Sequence, residues 1–255
     1  MSRNGAVFTE GGDALKHIVM LSGGKDSTAM LLMILEKGMT VDEIIFCDTG
    51  KEFPQMYEHI EQVKQYINRP ITVLRAKHTF DYYMFEHKKA YGKYVDKAGF
   101  GWPGATNRWC TGRLKVDVIK KYTKHNYKDI TEYVGIAHDE KWREKDKKYP
   151  LIEWGITEKQ ALKYCYSKGF TWGGLYEDFN RVSCWLCPLQ PLGELRILYN
   201  KYPKLWAELM DMDRRTYTPF KDGLTLPQIE ARFEWENMQK MKGYKQTEQE
   251  QLSIW

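Results

Sequence analysis

Long apolar runs are missing from this chain of 255 residues, although hydrophobic residues make up 42% of it. No stretch of about 18 consecutive apolar residues occurs, so the sequence predicts no membrane-spanning helix. The first dozen residues lack the apolar core of a secretory signal. Together with a content of only five cysteines, these absences predict a cytoplasmic protein whose thiols stay reduced and act as metal ligands, reactive groups or core side chains.

Common catalytic signatures are also missing. The chain has no His-Glu-x-x-His motif and no Ser, His and Asp order that would indicate hydrolytic chemistry. A Walker A loop would need a glycine at position 19 and a hydroxyl residue after Lys25, but Val19 and Asp26 stand there. The formal net charge of +5 permits a polyanionic partner without requiring one.

Apolar segments alternate with helical patterns over the first part of the chain. Four β-branched runs predict buried parallel strands: residues 17–21, 43–47, 71–76 and 130–137. Helical patterns lie between them: residues 27–38, 54–66 and 114–122. This alternation predicts an α/β fold with a parallel, doubly wound sheet. Ligands of such sheets bind at the carboxyl ends of the strands.

The loop after the first predicted strand suits an anion. Gly23 and Gly24 let backbone N–H groups approach a ligand closely, and the following helix adds partial positive charge at its N-terminus. Three hydroxyl side chains can donate further hydrogen bonds: Ser22, Ser27 and Thr28. Asp26 would repel a bare phosphate, so we interpret it as a partner of Mg²⁺ or as a helix cap. An ordinary turn before a capped helix is the alternative interpretation.

A change of pattern predicts the domain organisation. We expect a nucleotide-binding α/β domain over residues 13–155 and a mostly helical C-terminal part over residues 156–240, which carries a Cys-x-x-Cys pair. A capping box that starts at Thr157 marks the beginning of the helical part. The residues 241–255 are rich in Lys, Glu and Gln and are predicted to form a disordered tail.

Ser-Gly-Gly-x-Asp-Ser directly after a first strand resembles the pyrophosphate loop of the PP-loop ATP-pyrophosphatase superfamily. Its members cleave ATP between the α- and β-phosphates and adenylate an oxygen of their substrate. Further segments resemble the phosphoadenosine phosphosulfate (PAPS) reductase-like family of this superfamily: residues 47–60, 108–115, 134–143, 149–165 and 174–189. The resemblance therefore extends from about residue 17 to about residue 190.

This resemblance implies which residues hold the nucleotide. The loop supplies six of them: Ser22, Gly23, Gly24, Asp26, Ser27 and Thr28. Asp48, after the second predicted strand, and Gly135, at the exit of the fourth, fall where the family contacts the nucleotide. Arg143 and Lys115 are expected to meet its phosphates.

The resemblance also implies the chemistry. We assign Lys25, Asp26 and Arg143 as the catalytic residues, and ATP with Mg²⁺ as the cofactors. The family usually has an arginine where this chain has Ala137. That departure leaves open whether nucleotides with a 3′-phosphate are used.

The cysteines point to a metal. Cys184-x-x-Cys187 has the spacing of metal ligands, and Cys110 precedes a predicted helix, where a thiolate is favoured. Iron–sulfur members of the family join a Cys-Cys pair before that helix to the Cys-x-x-Cys and hold a [4Fe–4S] cluster. Trp109 replaces the first of that pair, so the resemblance implies a cluster on three cysteines with one open iron. A Zn²⁺ site completed by His138 and a pair that only packs are the alternatives.

Sulfur transfer is the activity predicted from these features. Sulfonucleotide reductases of the family carry a redox cysteine in a Glu-Cys-Gly-x-His segment near the C-terminus, and no cysteine follows Cys187 in this sequence. We therefore predict an ATP-dependent sulfurtransferase, similar in type to DNA-phosphorothioation enzymes. A sulfur-donor protein is a candidate partner, and the identity of the sulfur donor stays open. A PAPS reductase-like enzyme and a non-catalytic nucleotide- or DNA-binding regulator are the alternatives.

Residues 75–110 bear on the acceptor. They contain seven Lys or Arg against three acidic residues, with aromatic side chains interleaved. Cations combined with aromatic faces suit the backbone and the unstacked bases of a nucleic acid, so the predicted acceptor is a nucleic acid or a nucleotide. The alternative is a lid whose aromatic side chains pack and whose lysines are solvated. The oligomeric state stays open.

Overall fold

The computed structural model describes residues 15–92, 94–182, 184–221 and 223–241. The strands are β1 (Lys16–Met20), β2 (Glu43–Asp48), β3 (Thr72–Arg75) and β4 (Ile130–Val134). The α-helices are α1 (Lys25–Glu36), α2 (Pro54–Ile67), α3 (Trp109–Thr111), α4 (Asp117–Asn126), α5 (Pro150–Glu153), α6 (Glu158–Ser167), α7 (Leu175–Asp178), α8 (Leu192–Lys201), α9 (Pro203–Arg214) and α10 (Leu226–Met241). The predicted tail lies outside the described residues from residue 242 onward. None of the described helices combines the length and the apolarity needed to cross a bilayer.

The described strands form a four-stranded parallel sheet in the order β3-β2-β1-β4. Its central strands are apolar on both faces, since Ile18, Val19, Ile44 and Ile45 are all at most 2% exposed. Strands buried on both faces read as continuous apolar runs, which is the pattern that the sequence shows. The structure confirms the predicted α/β fold class and all four predicted strands.

The order of the strands reverses beside β1. The chain proceeds from β1 to β2 and β3 on one side, and β4 then pairs with β1 on the other side. A reversal of this kind opens a crevice at the carboxyl ends of the strands, where α/β proteins bind ligands. The glycine loop that leaves β1 and the segment that leaves β4 both lie at this edge.

Two compact units divide the chain. Of the described residues, the first unit contains the sheet and is formed by those up to Asp48, by Pro54–Arg75 and by Lys115–Gly173. The second unit is formed by Thr49–Phe53, by Ala76–Leu114 and by the described residues from Gly174 to Met241. The boundary predicted after residue 155 falls inside the first unit, so the division by contacts differs from the division by composition.

Helix α1 lies in the interior of the first unit. Ala29, Met30, Leu31 and Ile34 are completely buried, and the helix contacts α5 and α6. A helix that is apolar on most of its surface needs such cover on several sides. The predicted capping box is confirmed at the start of α6, where the Thr157 and Gln160 side chains and backbone N–H groups bond reciprocally.

Aromatic side chains hold the second unit together. Trp109 packs against Phe80, Tyr83 and Phe100, with ring centroids 4.8, 6.1 and 5.8 Å away. Trp102 packs edge-on against Phe220 at 5.0 Å, and its indole N–H donates to Asp213 Oδ1. This arrangement supports the packing alternative for many aromatic residues of the segment 75–110. Two of its tyrosines, however, are exposed on the surface: Tyr91 by 86% and Tyr94 by 42%.

Gly135 marks a close approach between the exit of β4 and the first turn of α1. A Cβ atom added at Gly135 would lie 2.5 Å from Ser27 Cα and 2.6 Å from Ser27 N. Because both neighbours are backbone atoms, rotation of a side chain cannot relieve the contact. We expect Gly135→Ala to lower the free energy of unfolding by about 2 kcal/mol or more, measured by urea denaturation.

Gly193 in α8 provides the matched control. A Cβ atom there would meet nothing within 4 Å, so Gly193→Ala is expected to leave stability unchanged or to raise it by up to about 1 kcal/mol through helix propensity. Equal stability of the Gly135→Ala variant and the wild-type protein would contradict the close approach.

Candidate functional site

The shape of the glycine loop is fixed by the conformation of Gly23 and by hydrogen bonds of one serine, Ser27. Gly23 has a φ of +82°, and a Cβ atom there would lie 2.4 Å from Met56 Sδ, so both the conformation and the space require glycine. The Ser27 hydroxyl donates to Gly24 O at 3.0 Å and accepts from Ser22 N at 3.1 Å. These bonds hold the loop in one shape at the start of α1.

The hydroxyl groups of the loop differ in their surroundings. Ser22 is exposed at the edge of the sheet, and its Oγ lies 3.0 Å from Ser27 Oγ. Thr28 is completely buried, and its Oγ1 lies 3.0 Å from His59 Nε2. The Thr28 hydroxyl is thus bound to His59 in the interior, and its predicted contact with the nucleotide stays a prediction.

A compact group of charges surrounds the first turn of α1. Lys25 is only 7% exposed, and its Nζ lies 2.9 Å from Asp26 Oδ2 and 2.5 Å from Glu158 Oε1. Burial by itself would lower the pKa of Lys25, but the two carboxylates raise the pKa above its usual value, so the ammonium group stays charged.

Asp26 is the least compensated member of this group. Burial raises its pKa to about 6, although the Lys25 charge opposes the rise. One of its carboxylate oxygens, Oδ1, is buried without a hydrogen-bond partner among the described residues. An orphaned, buried carboxylate oxygen is unfavourable by itself and suits a cation or a ligand proton that arrives with a substrate.

The turn after β4 continues the site. It spans His138–Arg143, and the Arg143 guanidinium lies 2.5 Å from Glu140 Oε2. The Glu140 charge contributes to the raised pKa of Asp26. Asp139 accepts a hydrogen bond from Glu158 N at 3.0 Å, so this turn connects β4 with the start of α6.

Asp48 occupies the carboxyl end of β2. It is 5% exposed and accepts hydrogen bonds from Tyr57 Oη at 2.9 Å and from Arg75 Nε at 2.8 Å. These two donors fix the orientation of the carboxylate. Lys115 is half-buried in a π turn that leads into α4.

The structure thus brings together several predicted residues where the order of strands reverses. The loop, Lys25, Asp26 and Gly135 share this edge, with the turn that carries Arg143. Three neighbours of the loop were not predicted from the sequence: His59, Glu158 and Trp172. More than 30 residues separate each of them from the loop residue that it contacts, and no local pattern marks the pairing.

The predicted metal ligands belong to the second unit. Cys184 and Cys187 form a turn in which Cys187 N donates to Cys184 O at 3.2 Å. Cys184 Sγ lies 3.6 Å from both Thr49 Oγ1 and Glu52 Oε1. All five cysteines lie in the described part of the chain, and none of them forms a disulfide.

Electrostatic interactions connect two of the three cysteines. Burial raises the pKa of Cys187, and the nearby Cys110 adds to the rise. Arg181 and Arg108 oppose it, because a cation stabilises a thiolate. Cys110 and Cys187 are therefore close enough to influence each other, in surroundings that contain two guanidinium groups.

The number and arrangement of the ligating side chains determine which metal a site can bind. No group of three or more His, Cys, Asp or Glu side chains in the described ranges is arranged to hold a metal ion. Zn²⁺ takes four ligands, each about 2.0–2.3 Å away, so the arrangement lends no support to the zinc alternative. The same absence lends no support to the iron–sulfur cluster, although Cys184 and Cys187 share one turn and Cys110 influences the pKa of Cys187. The cluster stays a prediction.

The parallel sheet and the glycine loop at its reversal point define a nucleotide-binding protein of the PP-loop class. The chain belongs to the family of the phosphoadenosine phosphosulfate reductase domain, whose model matches residues 16–190. This match confirms the family resemblance found in the sequence.

Several relatives share this sequence pattern. An uncharacterized protein of Methanocaldococcus jannaschii is 28% identical over 215 residues, which cover 75% of this chain and 40% of that protein. A second uncharacterized protein of the same organism is 26% identical and covers 76% of this chain and 46% of its own length. An uncharacterized nin region protein of Escherichia phage lambda is 27% identical, with 51% of each chain covered. The chain therefore spans about half the length of these relatives or less.

A solved structure is also similar. The phosphoadenylyl-sulfate reductase of Candida auris, determined as a phosphate complex, superimposes with a TM-score of 0.46 at 16% sequence identity. The superposition covers 68% of this chain and 82% of that chain.

The raised pKa of Asp26 predicts a pH-dependent cost to stability. Because the folded-state pKa of about 6 lies above the ordinary value of 3.8, the folded protein binds the proton more tightly than the unfolded chain. The Asp26 charge therefore destabilises the fold above about pH 6, and this effect fades as the pH falls towards 4. We expect Asp26→Asn to stabilise the ligand-free protein at pH 8 by about 1 to 3 kcal/mol, measured by thermal or urea unfolding.

Asp42→Asn is the control, because its expected effect on stability is opposite to that of Asp26→Asn. The hydrogen bond from His17 N and the Lys16 ammonium lower the pKa of Asp42, so loss of its charge is expected to destabilise the protein at the same pH. A destabilised Asp26→Asn variant at pH 8 would show that Lys25 compensates the buried carboxylate completely.

Proposed function

We propose that this protein is an ATP-dependent adenylating enzyme that cleaves ATP to AMP and pyrophosphate and transfers sulfur to a nucleic acid or nucleotide acceptor. The observation that supports this most directly is the orphaned Asp26 carboxylate beside the buried Lys25 at the start of α1. A bare phosphate would be repelled by Asp26, whereas a nucleotide that arrives with Mg²⁺ brings the missing partner. Membership of a nucleotide-binding family supports the same assignment.

The loop residues bind the leaving group in this proposal. Backbone N–H groups of the loop and of the first turn of α1, with the exposed Ser22 hydroxyl, hold the β- and γ-phosphates. The acceptor oxygen attacks the α-phosphorus, the bond between that phosphorus and the bridging oxygen breaks, and pyrophosphate leaves with the electron pair. Mg²⁺, when bound, neutralises phosphate charge and polarises the α-phosphate. The Lys25 ammonium and the Arg143 guanidinium offset the charge that develops on the leaving group.

The rest of the nucleotide follows the edge of the sheet. Neighbouring strands lie about 4.8 Å apart, so a nucleoside can extend from the loop after β1 towards the end of β2. Asp48 is held there by Tyr57 and Arg75 and accepts a hydrogen bond from a hydroxyl or amino group. Gly135 contributes by its small size, since it allows the exit of β4 to approach α1.

The second unit supplies the sulfur chemistry of this proposal. Cys110, Cys184 and Cys187 would hold a [4Fe–4S] cluster, and Arg108 and Arg181 would offset the negative charge of the thiolates. Such a cluster, when bound by three thiolates, supplies an iron that can take a ligand from outside the protein. The sulfur would come from free sulfide or from a sulfur-donor protein.

A reductase acting on a sulfonucleotide is the second candidate, favoured by the family itself. That reaction needs a thiolate that attacks sulfur. The two candidate activities can be distinguished by the substrate that is consumed. A reductase consumes PAPS in the presence of a thiol and releases sulfite without cleaving ATP.

Product analysis with labelled ATP tests the proposed activity. We expect AMP and pyrophosphate, and not ADP and phosphate, when the protein is incubated with Mg²⁺, ATP, sulfide and single-stranded DNA. Asp26→Asn is expected to lower the rate by about 100-fold or more, since it removes the group that receives the metal. Asp42→Asn lies at the opposite end of β1 and should keep the activity.

The outcomes of this assay separate the candidates. Formation of ADP would contradict cleavage between the α- and β-phosphates. Consumption of PAPS without cleavage of ATP would establish the reductase. Binding of a nucleotide without turnover of ATP or PAPS would favour the non-catalytic regulator over both enzymes.

Metal analysis after anaerobic purification tests the cysteine assignment. We expect about four irons and four sulfides per chain and a broad visible absorption band. Cys110→Ala should lose the band, because the proposed cluster has only three thiolate ligands from the protein. Cys165→Ala is the matched control, since Cys165 is completely buried in α6 and donates to Lys25 O. Zinc alone in the fresh protein, or an unchanged band in Cys110→Ala, would contradict the three-cysteine cluster.

A further inference from the structure

Trp172 has a backbone conformation that a bulky residue rarely adopts. Its φ is +50°, in the left-handed region, and its side chain is among the largest that are fully buried. Gly173 follows with a φ of +57°. Strain of this kind persists only where the surrounding structure holds it, and it is concentrated at functional sites.

The strained backbone directs the indole ring to the glycine loop. Trp172 Nε1 donates a buried hydrogen bond of 2.8 Å to the carbonyl oxygen of Gly23. Gly23 is itself in the left-handed region and lies against Met56 of α2. A carbonyl held from one side by a rigid ring cannot turn towards a ligand on the other side.

The geometry of the peptide bond transmits this constraint to the binding side. The described part of the chain contains no cis peptide bond, so the bond between Gly23 and Gly24 is trans. In a trans peptide the C=O and N–H groups point in opposite directions. Because the Gly23 carbonyl points at Trp172, the Gly24 N–H points away from it. Gly24 is the N-cap residue of α1, so this N–H lies at the anion-binding end of the helix.

His59 supports the indole from the other side. Its ring stacks on Trp172 with centroids 4.2 Å apart and meets Phe170 edge-on at 5.4 Å. Burial lowers the pKa of His59 to about 3, so the ring is neutral at physiological pH. Its Nε2 lies 3.0 Å from Thr28 Oγ1, which connects the stack to the first turn of α1.

We propose that Trp172, supported by His59, is a positioning residue that fixes the Gly23–Gly24 peptide so that its N–H faces the pyrophosphate group. This inference rests on the proposed function, because it concerns the same loop. Trp172 does not touch the ligand in this assignment and acts through the backbone of the loop. We therefore expect Trp172 to affect the affinity for pyrophosphate separately from its effect on the stability of the fold.

Trp172→Phe removes the indole donor and keeps an aromatic ring in contact with His59. Trp206→Phe is the matched control, since Trp206 Nε1 donates a hydrogen bond of the same length, 2.8 Å, to Glu230 in the second unit. Titration with inorganic pyrophosphate and Mg²⁺ by calorimetry measures the affinity of each protein. We expect about tenfold weaker binding by Trp172→Phe, which corresponds to the loss of one hydrogen bond, and unchanged binding by Trp206→Phe.

Stability and kinetics separate positioning from a merely structural role. Trp172→Phe loses a buried hydrogen bond and Trp206→Phe a partly buried one, so both are expected to unfold at lower temperature, but only Trp172→Phe should lose affinity. Its KM for ATP should rise by about tenfold and its kcat should change less, because the loop binds the nucleotide before and during the reaction. If Trp172→Phe does not fold, His59→Leu keeps the donor, removes the stacked ring and should also weaken pyrophosphate binding.

Two results would overturn the inference in different ways. Equal pyrophosphate affinity of the folded variant and the wild-type protein would refute the positioning role and leave the proposed function intact. Failure of the wild-type protein to bind pyrophosphate or ATP would refute both, because the loop would then have no anion to position.

Discussion

The close approach of β4 to the first turn of α1 is the constraint on which the rest of the first unit depends. It is possible only because Gly135 has no side chain where Ser27 backbone atoms lie. The approach lets the chain leave β4 directly beside the glycine loop and form the turn His138–Arg143. Asp139 in that turn caps α6, and this brings Glu158 to Lys25. One missing methyl group thus allows three separate segments to meet at one edge of the sheet.

The charges that meet there are arranged at a cost to stability. Asp26 is buried with one oxygen unpartnered, and its raised pKa reports that the folded state disfavours its charge. A folded protein under selection for stability alone would place an amide or an apolar side chain at this position. Lys25 reduces the cost but leaves one oxygen without a partner. The imbalance is understandable when a ligand supplies the missing charge, since a site already balanced would gain little from binding.

Local patterns and tertiary contacts differ in how well they can be predicted. The four strands follow from short apolar runs, and the loop follows from the spacing of Gly23, Gly24 and Asp26, because both depend on neighbouring residues. Glu158 and Trp172 reach the loop from 133 and 149 residues away, and their sequence neighbourhood carries no sign of it. The grouping of Cys110 with Cys184 and Cys187 was implied by the family resemblance and not by local spacing. The spacing of Cys184 and Cys187 predicts a turn, but the proximity of Cys110 depends on how the second unit packs.

The conformation of Trp172 shows how such a long-range contact is maintained. Glycine would adopt the same φ without strain, and the chain already has glycines at the next two positions. A glycine at 172, however, would remove both the donor to Gly23 and the ring that stacks on His59. The strain is therefore the consequence of placing a large, rigid donor at a point where the backbone must turn sharply. Since the ring fills a fully buried space, its packing offsets the strain, and the hydrogen bond to the loop is obtained in addition.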